Sequence, residues 1–506
     1  MKVTFVHSEN ESLAVECLSA LLKEKGHSTN LAYDHSYFAR TAVSFPAIAR
    51  IFDVRELLAK TVAEGQPDLV CFSVHTSAYQ WALDMASRIK DKCDVPVLFG
   101  GVHTISVPDI VIREDPVDML CDGEGEKPLI ELMEQLDQYP DINVPGIWVK
   151  TDGVVSKTGP AQLVSDLDSV PLPDKELFYK QLPWLSNGYL IVTGRGCPYA
   201  CTFCGNDILR RAYKGKGRYV RKRSVDNVME EMIKAKNQYG PKFFNILDDC
   251  FTPDKSWLEE FCRRYRREVG LPFMALTRPQ LVDEDSVRHL KDAGCARIAI
   301  GVESSSEFTR RDILNRKETN EQIRKASEIF HRHDLLFSVC HILALPYEGK
   351  EEYRDALKFY NELRPSVVNT FWLVYFPRTK IVDIALEARL IKEEDLYLID
   401  RGLANTSQNL GIGRGKRLEN VGYKNYAFLL SLVPLLPKRA IAFFVSRRIY
   451  FDGWNAPVFL ISVMRVLALV KDHTIRYYPG IVLGIIKGFL KTALLIARYN
   501  LSRSKR

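Results

Sequence analysis

Short apolar runs alternate with amphipathic stretches along the first quarter of the chain. Val3–His7, Ser28–Tyr33, Leu69–Ser73, Val97–Gly100 and Met119–Cys121 read as buried strands. Between and after them, Glu11–Lys25, Tyr79–Lys92 and Lys127–Gln138 carry apolar positions at helical spacing. This order predicts an α/β domain over residues 1–138, a doubly wound, Rossmann-like parallel sheet. In such sheets ligands settle at the carboxyl ends of the strands. The loops there are Ser73-Val74-His75-Thr76-Ser77, Gly100-Gly101-Val102-His103-Thr104 and Asp122-Gly123-Glu124-Gly125-Glu126. The Gly100-Gly101 pair lets backbone pass close to a bulky planar or nucleotide-like group.

Residues 139–188, with Val144-Pro145-Gly146 and Val170-Pro171-Leu172-Pro173-Asp174, read as a linker with a small hairpin. Over residues 189–395 a strand-then-helix unit then recurs about every 30 residues. Its strands are expected at Tyr189–Thr193, Phe243–Leu247, Pro272–Leu276, Arg297–Val302, Phe337–Leu343 and Val368–Tyr375. Its helices are expected at Ser224–Gln238, Pro253–Glu268, Glu284–Ala293, Asn320–His333 and Lys350–Glu362. Six such strands make a partial (β/α)6 barrel, with chemistry at the carboxyl ends of its strands.

From residue 396 to 506 the pattern changes again, to a basic, apolar helical region. The runs Ala427–Leu436, Ile441–Val445, Val458–Leu469 and Ile481–Ile496 are studded with Lys438, Arg439, Arg447, Arg448, Arg465, Lys487 and Lys491. Pro434, Pro437, Arg465 and Lys487 break them below the roughly 20 apolar residues that a spanning helix needs. The pattern fits an interfacial membrane anchor, with a helical lid over the barrel as the alternative.

The 506 residues leave room for about three domains. The net charge of +7 is unevenly spread. From Gly411 onward 17 Lys/Arg face three acids, so the first 410 residues carry −7. The basic character belongs to the tail, which argues against a nucleic-acid partner for the body. No secretory leader opens the chain, so its cysteines are expected as reduced thiols in the cytoplasm, with the tail peripheral on a membrane. Eight of the 11 cysteines are scattered among apolar neighbours and read as packing.

Cys197, Cys201 and Cys204 stand apart, in Gly-Arg-Gly-Cys-Pro-Tyr-Ala-Cys-Thr-Phe-Cys-Gly directly after the first barrel strand. Three thiolates so spaced can hold one corner of a cubane iron–sulfur cluster and leave one iron open. A structural zinc site would want a fourth Cys or His close by, and the next cysteine is Cys250.

The C-x3-C-x2-C spacing resembles the radical S-adenosylmethionine (radical SAM) superfamily. Ser73-Val74-His75 with Gly100-Gly101 resembles its cobalamin-binding branch, with His75 departing from the usual leucine. That branch's Asp-x-His-x-x-Gly signature is missing from the matching loop, His7-Ser8-Glu9-Asn10-Glu11-Ser12. The resemblance therefore implies a cobalamin given no histidine ligand, cradled by Ser73, His75, Gly100, Gly101 and Glu124. It implies a [4Fe–4S] cluster on the three cysteines. S-adenosylmethionine would be held by Asp248 and Asp249 at its ammonium, Arg278 at its carboxylate and Glu303 at its ribose. Leu345-Pro346-Tyr347-Glu348-Gly349 takes the place of the adenine-side loop.

The chemistry implied is reductive cleavage of S-adenosylmethionine to a deoxyadenosyl radical, hydrogen abstraction from an unactivated carbon, and methyl delivery from cobalamin. No side chain need be a general base. Hopanoid methylases and the anaerobic cyclase that closes the fifth ring of chlorophyll precursors are similar enzymes. A hydrophobic, lipid-like or isoprenoid substrate and an electron donor such as flavodoxin or ferredoxin follow as expected partners. Oxidative cyclisation is the alternative activity, followed by a methylthiotransferase or a non-enzymatic cobalamin sensor.

Overall fold

The computed structural model describes residues 1–8, 10–36, 52–404, 422–447 and 456–503. Glu9 and Arg448 lie outside the described residues. Two sheets dominate, the first mostly and the second wholly parallel. The first has the order β2-β1-β3-β4-β5-β6-β7, with β1 Lys2–Ser8, β2 Ser28–Asp34, β3 Leu69–Ser73, β4 Val97–Gly100, β5 Met119–Cys121, β6 Ile147–Thr151 and β7 Val154–Ser156. Six of the seven residues of β1 are buried. Helices cover both faces of such a strand, which is why it reads as a continuous apolar run rather than an alternating one.

The hairpin expected inside the linker belongs to this sheet. β6 pairs antiparallel with β5, and β7 with β6. Asp152 and Gly153, both at positive φ, make the two-residue turn between them. The rest of the linker is also anchored. Lys175 reaches Glu11 Oε1 at 2.7 Å and Glu16 Oε2 at 2.9 Å, with all three side chains at most 1 % exposed. The same ammonium donates to the Leu190 carbonyl at 2.9 Å. One buried cation thus ties the first helix, the linker and the start of the barrel together.

The second sheet is all parallel, in the order β15-β14-β13-β12-β11-β8, with β8 Gly188–Ile191, β11 Phe243–Ile246, β12 Phe273–Thr277, β13 Cys295–Glu303, β14 Phe337–Leu343 and β15 Val367–Trp372. A small antiparallel pair, β9 Gly194–Arg195 and β10 Arg221–Lys222, lies between β8 and β11 in the chain. Polar residues set the helix starts. Ser224, Asp254 and Asp283 accept from backbone N–H groups three residues on, and Thr319 forms a capping box with Gln322. Strands follow chain order across this sheet, so it is a half-barrel with β8 and β15 as edges.

Among the described residues the tail helices do not lie over the carboxyl ends. Its helices Tyr423–Leu432 and Val458–Lys471 pack along β15, while Pro479–Arg503 packs on Pro183–Asn187 ahead of β8. Between them, Tyr477 and Tyr478 lie against Phe243, and Asp472 pairs with Arg297 at 2.5 Å. Both contacts are at the amino ends of the strands, opposite the cysteine loop. No described helix is long and apolar enough to cross a membrane.

Candidate active site

The cysteine loop leaves β8 by way of Gly196, whose φ is +82° and where a Cβ would lie 2.5 Å from the Tyr219 carbonyl. Only glycine fits there. Further contacts fix the loop. Arg210 donates to the Tyr199 carbonyl at 2.7 Å, Thr202 N to the Leu314 carbonyl at 3.2 Å, and Thr202 Oγ1 to the Ile313 carbonyl at 2.6 Å. Cys201 is buried, and burial pushes the Cys197 thiol up to about 12. Asn206 Nδ2 lies 3.7 Å from the Cys204 sulfur.

Two guanidiniums meet the Cys201 sulfur, Arg316 Nη1 at 3.7 Å and Arg278 Nη1 at 3.9 Å. Glu318 holds both, 2.5 Å from Arg278 and 3.0 Å from Arg316. Buried thiolates need positive charge nearby, and this pair supplies it. Among the described residues no three His, Cys, Asp or Glu groups are gathered to hold a single ion. A cubane asks for a wider set, because each thiolate binds a different iron. Cys197, Cys201 and Cys204 on one anchored loop fit that demand.

The other residues expected to bind S-adenosylmethionine divide. Asp248 is committed to the scaffold. Its carboxylate accepts from Thr193 N and Thr193 Oγ1, both at 2.5 Å, and from Lys222 Nζ at 2.8 Å. It locks the end of β8 to β11. Asp249 instead faces an open cavity, and burial raises its carboxyl above the usual range. The Arg278 fork is taken by Glu318 and lies 3.7 Å over the Tyr199 ring, so it is not a free partner for a ligand carboxylate. Glu303 ends β13 at φ +65°, 3.7 Å from Arg316, with its carboxyl raised by burial. The Ser304 hydroxyl donates to Glu348, which brings the Glu303 turn against the Leu345–Gly349 loop.

Asp249 belongs to a cavity of about 410 Å³ that both halves of the molecule line. One end enters the first domain between its sheet and the helices Leu13–Glu24 and Glu126–Gln135. There Phe5, Cys17, Leu18, Cys71, Cys121 and Leu129 form its wall. Three cysteines that read as packing thus line an apolar slot. The other end reaches Asn206, Tyr213, Tyr219 and Asp249 beside the cysteine loop. Of the expected cradle, Ser73, Gly100, Gly101 and Glu124 line this space. His75 does not, and bonds Ser77 Oγ at 2.8 Å. His7 and His103 are also off the wall, with burial lowering their pKa to about 4 and about 3.

Two glycines on the rim differ in what requires them. A Cβ on Gly101, at φ +102°, would lie 2.7 Å from Val74 backbone atoms, so the protein itself demands glycine. A Cβ on Gly100 would meet only Cys121 Cβ, at 3.6 Å, so a side chain there would fill the cavity instead. Glu124 ties the halves together: Arg221 grips it at 2.6 and 2.9 Å and Arg195 approaches at 3.4 Å. The apolar slot, the open glycine and the absence of histidine from the wall fit a cobalamin that takes no protein ligand.

Residues 191–360 match the model of the Radical SAM superfamily. The chain therefore carries a radical SAM domain. This radical SAM chain is 27 % identical over 345 residues to an uncharacterized methyltransferase of Pyrococcus horikoshii, covering 66 % of this chain and 72 % of that protein. It is 25 % identical over 332 residues to the anaerobic magnesium-protoporphyrin IX monomethyl ester cyclase of Synechocystis, covering 64 % of this chain and 65 % of the cyclase. Among solved structures it is similar to OxsB, a cobalamin-dependent S-adenosylmethionine radical enzyme with aqua-cobalamin and S-adenosylmethionine bound. The TM-score is 0.64 at 16 % identity, over 98 % of this chain and 83 % of that one. The half-barrel and the sheet before it therefore share one fold with OxsB.

Arg316, Glu318, Asn206 and Tyr219 were not found by sequence reasoning. Arg316 and Glu318 carry no motif or spacing signal, and only their burial beside Cys201 marks them. Asn206 had one weak signal, its place two residues after Cys204.

Proposed function

We propose that the protein is a cobalamin-dependent radical SAM C-methyltransferase acting on an unactivated carbon of a hydrophobic, lipid-like or isoprenoid substrate. The cavity shared by the two halves carries this reading, because it joins an apolar slot in the first domain to the cysteine loop of the second. Cys197, Cys201 and Cys204 would hold the cluster. Ser73, Gly100 and Glu124 at the rim, with Leu18, Cys71 and Leu129 in the slot, would hold cobalamin. Together these groups supply one-electron cleavage of S-adenosylmethionine and a transferable methyl group.

The chain's own part is position and exclusion of water. Arg278 and Arg316 hold positive charge at Cys201. Asp249, Asn206 and Tyr219 line the junction between the two binding spaces, and Asp249 is the remaining carboxylate for a ligand ammonium. The Glu124 to Arg221 fork keeps the halves in register. An electron donor such as flavodoxin or ferredoxin serves the cluster, and the basic tail meets a membrane surface.

The test is anaerobic reconstitution with iron, sulfide, cobalamin and S-adenosylmethionine labelled in its methyl group, on lipid extracts from cells lacking the protein. Deoxyadenosine with a labelled lipid product is expected. Deoxyadenosine with no labelled product sinks methyl transfer. The likeness to the Synechocystis cyclase favours a second reading, oxidative ring closure, in which product forms without label.

A further inference from the structure

Two tail helices turn apolar faces to solvent. On Val458–Lys471, Phe459, Val463, Val466, Leu467 and Val470 are each between 41 and 52 % exposed. Their spacing puts them on one face. On Pro479–Arg503, Val482, Leu483, Ile485, Ile486, Leu490 and Leu494 are between 45 and 63 % exposed. Packing fixes this orientation. Gly480 and Gly484 press that helix on Asn187 and Trp184, where a Cβ would lie 2.6 and 2.0 Å from side-chain atoms. The glycine stripe is therefore the inner face and the aliphatic stripe the outer one, the reverse of a helix whose polar side meets water.

The same tail carries exposed cations, on and beside the helix Lys438–Ser446 and on Pro479–Arg503. Lys438, Arg439, Arg447 and Lys487 are exposed. Asp452 and Asp472 are the only acids from residue 423 to 503. Asp472 is neutralised by Arg297, and Asp452 lies outside the described residues. Exposed apolar faces in a tail of net positive charge match an anionic lipid surface.

The position of the helices adds a second element. β8 and β15 are the edges of the half-barrel, and its open side lies between them. Val458–Lys471 covers the β15 edge, where Arg465 donates to the Thr370 carbonyl at 2.6 Å. Pro479–Arg503 covers the segment leading into β8. The pleat turns Leu190, Met274 and Leu276 away from the outer helices, into the barrel. Exposed Leu247 and Phe371 stand on the same side, at the carboxyl ends of β11 and β15.

We propose that the outer faces of these two helices dock on an anionic bilayer and set the open side of the half-barrel against it, so that substrate enters laterally from the membrane. The entry step rests on the lipid-substrate reading above, whereas docking stands on the helices alone.

The test uses the cofactor-loaded protein with vesicles of phosphatidylcholine alone or with one-third phosphatidylglycerol. Flotation with the anionic vesicles is expected, weakened by salt and slight with the neutral ones. Leu483→Glu/Ile486→Glu and Val466→Glu/Val470→Glu should each lose at least tenfold in bound fraction. They should keep iron, cobalamin and vesicle-free deoxyadenosine formation, while methyl transfer into bilayer lipid falls in parallel. Failure to float overturns docking, as does loss of self-association in the variants with flotation unchanged, since the faces then pair two copies. Unchanged lipid methylation in variants that no longer float overturns lateral entry. Flotation without any methylated product leaves docking standing and overturns the methyltransferase reading instead.

Discussion

Arg316 places Nη1 3.7 Å from the Cys201 sulfur, across 115 residues of chain. Arg278 approaches the same sulfur at 3.9 Å, and the single carboxylate of Glu318 serves both cations. Two guanidiniums therefore sit at one cysteine of the loop, with Glu318 and Glu303 as their counter-charges. Positive charge and hydrogen bonds at the sulfurs raise a cluster's reduction potential. Arg316→Met should lower it, by on the order of 100 mV for one charge lost a few ångströms away at an effective dielectric near 20. Arg316→Lys keeps the charge and should shift it much less. Redox titration followed by electron paramagnetic resonance reads both. Equal potentials in Arg316→Met and the parent protein would refute the assignment.

Histidine is missing from the wall of the shared cavity. His75 turns to Ser77, and His103 Nδ1 lies 3.2 Å from Thr76 Oγ1 beneath the Tyr79 ring. Cob(II)alamin bound to this protein should show no nitrogen splitting from a protein ligand in its paramagnetic resonance spectrum. His75→Ala should leave the spectrum unchanged. A nitrogen triplet lost in that variant would mean that the β3 loop rearranges to ligate cobalt.

The slot beside Cys17 offers a way to separate the two cofactor sites. Cys17 sits on the helix Leu13–Glu24 and faces the cavity, away from the cysteine loop. Cys17→Trp adds a large ring to that space. Cobalamin content after reconstitution should fall at least tenfold, with iron and sulfide per chain unchanged. If cobalamin is retained in full, it does not use this slot.

Most strands of both sheets were legible because they are short apolar runs bounded by glycine, proline or acidic turns. The helix Arg55–Glu64 escaped notice because only Ala59 and Val62 of its ten residues are buried, which leaves little apolar periodicity to read. Val154–Ser156 was assigned to a linker because two of its three residues are exposed, as at any sheet edge. The cysteine loop was legible because its three cysteines lie within eight residues of chain. The charges around it come from distant loops, and spacing carries no trace of that. Asp248 and Asp249 show the same limit at one residue's distance. Type and position suited both, and only the fold shows one bonded to Thr193 and Lys222 and the other open to the cavity.

Glu348 gives the fold a pH dependence of definite sign. Its carboxyl accepts from Ser304, its second oxygen is buried with no partner, and burial pushes its pKa from 4.5 up to about 7. The unfolded chain releases this proton near pH 4.5, and the folded one holds it to about pH 7. Across that window folding takes up a proton, so stability falls as pH rises, and above it the loss stays constant. At 1.36 kcal/mol per pKa unit the shift amounts to about 3 kcal/mol. Glu348→Gln cannot ionise and should escape the loss. It should match the parent protein near pH 4.5 and unfold at a higher temperature or urea concentration at pH 8. Should the gap between the two fail to widen from pH 4.5 to pH 8, Glu348 ionises as an ordinary carboxylate and its contact with Ser304 does not depend on a retained proton.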